Sequence, residues 1–241
     1  MKNMIRMVAL LVSLTMVGVA PAAEDGWQFK LTPYLWALGV DGDIGIGPAS
    51  VPVDVDFLDA VEDLEMGGML SGEAHYGPWS LLGDVAYLRL EDDASTALGE
   101  FEVEFEQWIV QGAVTYRVVN AEGTLVDLGL GGRYMSMDTD LNTPSEAPDR
   151  NACEGWIDPV VVARLRQQFA KNCFGLLYGD IGGFGAASDL TWQLMAAAGY
   201  AFNDTVSMLL GYRYLDYDYE DGEFSFDAAE SGLVLGLQFK L

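Results

Sequence analysis

The stretch Leu190-Thr-Trp-Gln-Leu-Met-Ala-Ala-Ala-Gly-Tyr-Ala-Phe202 decides the fold, because its side chains alternate in character at every second position. Its even-numbered residues are apolar, with aromatic rings near both ends, whereas its odd-numbered residues are mostly small or polar. A period of two predicts a β-strand with one apolar face. The alternation continues for 13 residues, whereas the strands of soluble proteins average about five or six.

Two further stretches, 124–134 and 205–214, alternate in the same way. Strands of about 9–11 residues with aromatic side chains near their ends are typical of proteins that cross a membrane as β-barrels. Hydrocarbon offers no hydrogen-bond partner, and only a closed sheet has no unpaired edge. We therefore predict an all-β fold: a single closed, antiparallel, transmembrane up-and-down β-barrel.

The connections between the alternating stretches predict the topology. Tight connections fall at 77–78, 120–123, 171–172 and 203–204, and longer acidic ones fall near 92–100, 138–155 and 220–223, with a short one near Ser188. Tight and long connections alternate, as they do in barrels with short periplasmic turns and longer extracellular loops. Counting the strands between them predicts ten, with both ends of the chain in the periplasm.

Residues 41–65 allow two strand counts. The stretches 44–46 and 51–55 can form a hairpin above the membrane, followed by a short helix over 57–64 with Phe57, Val61 and Leu64 on one side. If the hairpin instead spans the bilayer, the barrel has twelve strands.

The two ends of the chain carry export signals. Residues 1–23 combine two early bases, an apolar run over 7–19 and a small-x-small site at Ala20-Pro21-Ala22, which predicts a secretory signal peptide. The barrel domain is then 24–241. At the other end, Leu233, Leu235, Leu237, Phe239 and Leu241 share one face with Gly236 between them. This pattern resembles the terminal signature by which outer-membrane barrels are recognised for insertion.

Composition excludes several kinds of function. The 241 residues contain 37 acids and 12 bases, a formal charge of −25, which argues against nucleic-acid partners. The sequence has no Cys-x-x-Cys, no phosphate-binding glycine loop and no zinc-ligand spacing, so we predict no cofactor. The predicted topology places Cys153 and Cys173 at opposite ends of one strand, which predicts two free thiols.

Several stretches along the mature chain resemble a family of largely uncharacterised proteobacterial outer-membrane β-barrel proteins. They are Pro33-Tyr-Leu-Trp-Ala37, Val53-Asp-Val-Asp-Phe57, Trp156-Ile-Asp-Pro159, Gly179-Asp-Ile-Gly-Gly-Phe-Gly185, Thr191-Trp-Gln193 and Gly211-Tyr-Arg-Tyr-Leu215. The resemblance implies one barrel in the outer membrane of a Gram-negative bacterium, with no agreed activity and no recognised catalytic residues. Cys153 and Cys173 depart from that pattern.

Assigning the polar face of each strand inward predicts a polar network in the barrel interior. Its charged members and histidine are Lys30, Glu73, His75, Asp84, Arg117, Asp127, Arg133, Asp158, Arg164, Arg166, Asp180 and Arg213. Lys240 and the amides of Gln107, Gln111, Gln193 and Gln238 fall on the same faces. The network is either a narrow, slightly cationic path for small solutes or a structural filling. Scaling favours filling, because barrels of about eight strands are filled by their own side chains.

The expected function is therefore non-enzymatic, either a narrow passive channel or a structural component of the envelope. A lipid-modifying enzyme is one alternative, since His75 shares a face with Glu73 and is predicted to lie near Ser80 across the hairpin. These residues, however, fall at the end of the barrel away from the outer leaflet. Another is a surface protein that binds cations or a partner through acidic outer residues such as Asp216, Asp218 and Glu220. A solvated anionic rim explains these acids more simply.

The expected partners are outer-membrane lipids, lipopolysaccharide and the barrel-insertion machinery. The chain is expected to be a monomer.

Overall fold

The computed structural model describes residues 26–46, 49–55, 64–96, 99–142, 150–222 and 224–241. The predicted signal peptide lies outside these residues, as does the predicted helix except for Leu64, which is the first residue of a strand. The strands are β1 (Gln28–Ile46), β2 (Ala49–Val55), β3 (Leu64–Tyr76), β4 (Trp79–Thr96), β5 (Gly99–Ala121), β6 (Thr124–Asn142), β7 (Arg150–Gln168), β8 (Cys173–Gly183), β9 (Leu190–Ala201), β10 (Val206–Asp221) and β11 (Phe224–Lys240). The described part of the chain contains no helix of the length and apolarity needed to cross a membrane.

Ten of these strands form a closed antiparallel ring. From β3 to β11 each strand pairs with the next, and β11 pairs with β1 from Lys30↔Lys240 to Ile46↔Phe224. The first part of β1, Gln28–Tyr34, pairs with β3, whereas its last part, Val40–Ile46, pairs with β2. The prediction of a ten-stranded closed barrel is confirmed, and β2 forms the predicted hairpin with β1 instead of an additional spanning strand.

The outer surface carries an apolar band between two rings of aromatic side chains. We call the end with the tight turns lower and the opposite end upper. The large side chains Leu130 and Ile157 are 68% and 65% exposed, which an aqueous environment would disfavour. Eight residues separate the aromatic residues of each of three pairs: Trp79 and Tyr87, Trp108 and Tyr116, Trp192 and Tyr200. That spacing is about 27 Å along a strand and about 21 Å along the axis at a tilt of about 40°, which matches a bilayer core.

Several strands continue above the aromatic ring into segments that the sequence predicts as loops. β4 reaches Thr96 before β5 begins at Gly99, and β6 reaches Asn142 before β7 begins at Arg150. The connections near 92–100 and 138–155 are therefore shorter than predicted. Hydrogen bonds between the two strands of a hairpin need no apolar face, so the ladder persists where the hydrophobic alternation has ended.

The barrel interior is filled and has two parts. The upper part is a cluster of apolar and aromatic side chains that includes Trp36, Ile109, Met135 and Tyr217, each no more than 5% exposed. Trp156 stacks on Tyr219 there with ring centroids 3.9 Å apart. The central and lower parts contain most of the polar and charged side chains. The strands thus position an ionic network beneath an apolar plug.

Candidate functional site

The polar interior is the candidate site, and its members lie on the inward faces of the strands because side chains alternate along each strand. On β7, for example, Asp158, Arg164 and Arg166 are separated by even numbers of residues and all face inward. Arg133 is fully buried, and Asp127, Asp158 and Arg213 are nearly so. Most of the charged side chains form two groups, the central clamp and the lower cluster.

The central clamp has two arginines. Arg133 forms an ion pair with Asp180 and donates hydrogen bonds to the Thr191 hydroxyl at 2.7 Å and to the Gln111 side-chain oxygen at 3.3 Å. Gln111 in turn donates to the Tyr178 hydroxyl at 2.6 Å. These contacts join β5, β6, β8 and β9 across the interior, so the guanidinium occupies the space that a solute path would need.

The second arginine of the clamp, Arg213, lies between β1, β4 and β9. It donates to the Gln193 side-chain oxygen at 2.7 Å, to the Tyr34 hydroxyl at 2.9 Å and to Asp84 Oδ1 at 3.1 Å. The Tyr34 hydroxyl donates to the same carboxylate at 2.9 Å, and the guanidinium carbon lies 4.4 Å from the centre of the Trp36 ring. Arg213 therefore links the polar layer to the aromatic layer above it.

The lower cluster is organised around two carboxylates. Glu73 Oε2 lies 3.0 Å from Lys30 Nζ, 2.8 Å from His75 Nε2 and 3.0 Å from an Arg164 nitrogen. Asp127 accepts from Arg117 Nε at 2.9 Å and from a second Arg164 nitrogen at 2.8 Å. Both carboxylates are thus already engaged by the cations next to them.

Arg166 differs from the other cations of the lower cluster, which contact Glu73 or Asp127. Its guanidinium carbon lies 3.6 Å from the centre of the Phe174 ring. Among the described residues its guanidinium has no hydrogen-bond or ion-pair partner. Such an arginine keeps all five of its N–H donors available.

The structure also brings together the Ser80, His75 and Glu73 side chains that the sequence placed near one another. His75 Nδ1 lies 2.6 Å from the Ser80 hydroxyl, and His75 Nε2 lies 2.8 Å from Glu73. Ser80 is only 2% exposed and His75 only 8%. Glu73 is shared with Lys30 and Arg164, so the trio belongs to the ionic packing of the lower cluster.

Three polar contacts of the upper interior include residues that the sequence analysis missed. Glu230, 1% exposed, accepts a hydrogen bond from the Gln107 side-chain amide. Ser188 donates from its backbone N–H and its hydroxyl to Asp158, at 2.8 and 2.7 Å. Counting back by twos along β11 from the inward Gln238 would have placed Glu230 in the interior. Ser188 lies in a connection, where alternation gives no signal.

The acidic residues above the aromatic ring do not form a metal site in the described part of the chain, where no three or more His, Cys, Asp or Glu side chains converge. Asp216, Asp218 and Glu220 follow one another on alternate positions of β10, and Asp218 faces Asp227 of β11 directly. Partial burial and the carboxylates of Asp227 and Asp189 raise the pKa of Asp218 above its ordinary value.

The two cysteines and the last strand complete the set of sequence predictions. Cys173 has a free, exposed thiol and pairs with Tyr200, whereas Cys153 lies near the other end of β7 opposite Asp138. The Cys153 side chain lies outside the described residues, so two free thiols stay a prediction.

On the last strand, β11, Leu233, Leu235 and Leu237 are exposed outward, Gly236 is buried and Phe239 is half-buried. The Leu241 N–H donates to the Phe29 carbonyl at 2.9 Å. Their role in insertion is likewise a prediction.

Comparison with solved structures supports the same fold. The outer membrane protease OmpT from Escherichia coli aligns with a TM-score of 0.55 and 9% identity, over 92% of this chain and 99% of that chain. Neisserial surface protein A (NspA) and Ail of Yersinia pestis align over 90% of this chain and 99% of theirs, with 11% and 10% identity and TM-scores of 0.39 and 0.42. These two likenesses are too distant to add to the argument.

No family model matches the chain, and no curated protein matches it. The resemblance to an uncharacterised proteobacterial family therefore stays a prediction. At 9% identity the likeness to OmpT concerns the fold alone and transfers no activity. The fold is that of the outer-membrane β-barrel proteins.

Proposed function

We propose that this protein is a closed, non-conducting β-barrel of the bacterial outer membrane and acts as a structural component of the envelope. The tight turns face the periplasm and the extended hairpins face outward, as is usual for such barrels. Its apolar band contacts outer-membrane lipids and lipopolysaccharide, and its last strand is the segment that the barrel-insertion machinery recognises. The chain acts as a monomer and without a cofactor.

The observation that carries this proposal is the sealing of the interior at the central clamp and in the apolar cluster that packs against it. Arg133, Val162, Leu215 and Tyr217 are each completely excluded from solvent. A conducting path needs a continuous column of water, and a charged side chain that lines such a column would be exposed to it. Here the guanidinium instead completes its hydrogen bonds with protein groups, as expected for the filled interior of a small barrel.

Conductance in a planar lipid bilayer tests the proposal. The purified chain, folded and reconstituted at concentrations where a porin control gives steady current, is expected to give no stable conductance. Folding is verified separately by the shift in electrophoretic mobility that a barrel shows on heating. A steady ohmic current from the verified fold would overturn the proposal and favour the narrow channel.

The proposal includes the absence of an enzymatic role for Ser80, His75 and Glu73. A nucleophile must meet its substrate, whereas Ser80 is 2% exposed and packed within the lower cluster. His75→Ala is therefore expected to leave the lipid composition of the host outer membrane unchanged, with Lys171→Ala on a lower turn as the matched control. Loss of one lipid species in the His75 variant alone would contradict the proposal and favour the alternative that the protein is a lipid-modifying enzyme.

A second candidate function, the binding of cations or a cationic partner, is favoured by the register of the strand extensions. Asp218 of β10 pairs directly with Asp227 of β11, and Asp216 and Glu220 lie two positions away on the same face of β10. Like charges opposite one another destabilise a sheet, and a bound cation would relieve that repulsion. Ca²⁺ is then expected to raise the unfolding temperature of the wild type and to raise it less in Asp227→Asn. The lower-turn variant Glu122→Gln should respond as the wild type does, and equal responses in all three proteins would remove this candidate.

A further inference from the structure

The lower mouth of the barrel contains more positive than negative charge, although the chain as a whole is strongly acidic. Among the described residues, the charged side chains on the inward faces of the strands at this end are five cations and two anions. They are Lys30, Arg117, Arg164, Arg166 and Lys240 against Glu73 and Asp127. Lys240 belongs to this set because it lies directly opposite Lys30 in the β1–β11 ladder, and directly paired residues share a face. The excess is three positive charges, five less two.

The two carboxylates cannot neutralise this excess. One Glu73 oxygen already contacts Lys30, His75 and Arg164, and Asp127 is shared between Arg117 and Arg164. Neither has a contact with Arg166 or Lys240. Partly buried charges of one sign repel one another more strongly than they would in water, because the interior screens them less. An anion in the mouth would lower the free energy of this arrangement.

Arg166 is held in an orientation suited to such an anion. Its guanidinium lies on the ring of Phe174, which is 2% exposed and fixed in place. The ring occupies space that a side chain at position 199 would need, since a Cβ there would lie 2.2 Å from a Phe174 ring carbon. A guanidinium stacked by its face keeps its edge free, and that edge matches two oxygens of a phosphate or sulfate.

We infer that the lower mouth is a binding site for a small oxyanion of the phosphate or sulfate class, with Arg166 as its principal ligand. Lys30 and Lys240 add positive charge at the rim, and Phe174 positions the Arg166 guanidinium. The phosphate can come from the periplasmic solution or from a phospholipid headgroup, because the lower aromatic ring places the mouth at headgroup level. This inference does not depend on whether the barrel conducts.

Calorimetric titration with inorganic phosphate tests the site, using the folded full chain in a non-ionic, phosphate-free detergent. The wild type is expected to bind one phosphate saturably. Arg166→Gln should weaken binding by about tenfold or more, since it removes the charge and the charge-assisted hydrogen bonds to the anion. Lys171→Gln removes the same charge from an exposed lower turn outside the mouth, and should bind within about twofold of the wild type.

Phe174→Leu supplies a second variant that leaves the charge of the mouth unchanged. It should weaken phosphate binding because the guanidinium loses the ring that orients it, and its fold is verified by mobility on heating. Absence of saturable binding by the wild type, or equal binding by the wild type and Arg166→Gln, would overturn the inference. These outcomes are independent of the conductance measurement, so the two proposals can fail separately.

Lipid bilayer discs distinguish the two sources of the phosphate group. If phospholipid headgroups occupy the site, discs of phosphatidylglycerol should compete with inorganic phosphate in the wild type and phosphate-free glycolipid discs should not. If the ligand is a free anion, phosphate should bind equally in both kinds of disc. Either result supports the oxyanion site, provided that binding in Arg166→Gln is weakened.

Discussion

Arg213 and Tyr34 lie 179 residues apart in the sequence, and the Arg213 guanidinium donates a 2.9 Å hydrogen bond to the Tyr34 hydroxyl inside the barrel. The two residues belong to β10 and β1, which are separated in the ring by β11. The bond therefore crosses the interior instead of following a strand pair. Contacts of this kind make the central clamp part of the barrel's stability as well as its seal.

Replacing Arg133 by Ala should destabilise the barrel strongly. The change leaves Asp180 as a buried charge without its main partner and also opens space beside Thr191 and Gln111. Removing one partner of a buried ion pair typically costs about 3–5 kcal/mol. Denaturant unfolding in lipid vesicles, followed by tryptophan fluorescence, measures the loss.

The matched control for that change is the double variant Arg133→Met with Asp180→Leu, which removes both charges. It should lose less stability than Arg133→Ala, because neither charge is left unpaired. A single variant as stable as the wild type would show that the ion pair contributes nothing to the fold.

Two glycines on neighbouring, paired strands should respond oppositely to alanine. At Gly131 a Cβ would lie 2.2 Å from the Gly112 carbonyl oxygen, so Gly131→Ala must distort the β5–β6 ladder. At the outward-facing Gly112 nothing lies within 4 Å of that position, so Gly112→Ala should be neutral or stabilising by up to about 1 kcal/mol. Unfolding free energies of the two variants test this, and equal effects would contradict the assigned faces.

A charge on the outward face within the apolar band should be costly. Leu130 is 68% exposed and pairs with Val114, which lies between Trp108 and Tyr116 of the two aromatic rings, so Leu130→Arg places a guanidinium in hydrocarbon, at a cost of up to about 2–4 kcal/mol. The same residue introduced at the exposed lower turn, in Glu122→Arg, should have little effect. Folding into vesicles measured for both variants decides whether this face contacts lipid, and equal yields and stabilities would argue that it does not.

Asp218 gives a prediction on pH. Partial burial and the opposing Asp227 raise the pKa of Asp218, so the folded state disfavours its ionised form. The resulting loss of stability is present above the raised pKa and disappears as the pH falls below the pKa of the unfolded chain, about 3.9. Asp218→Asn should therefore raise the unfolding temperature at neutral pH and lose this advantage near pH 3.

Asp204→Asn, on an exposed lower turn, is the control for that measurement and should change the unfolding temperature little at either pH. An Asp218→Asn variant less stable than the wild type at neutral pH would mean that the carboxylate is stabilised by a cation or another partner above the membrane. That outcome would strengthen the second candidate function.

The sequence by itself determined the barrel and the direction of its side chains. Alternation assigned one of two faces to each strand residue, and the tight turns set the strand count. The hairpin of 44–46 with 51–55 was one of two arrangements that the sequence allowed, and the structure decided between them because β2 pairs with β1 alone. On the inward faces, counting by twos identified Lys30, Arg133 and Arg213.

Only the tertiary structure decided which inward side chains meet. Alternation gives the face of a residue but not its height in the barrel, which depends on the stagger of every strand pair around the closed ring. The contacts of Arg213 with Tyr34, of Gln107 with Glu230 and of Gln111 with Asp180 join strands that are not neighbours. Arg166, which has no hydrogen-bond or ion-pair partner among the described residues, could not be recognised from the sequence for the same reason. Whether a cation has a partner depends on the positions of all the other side chains across the interior.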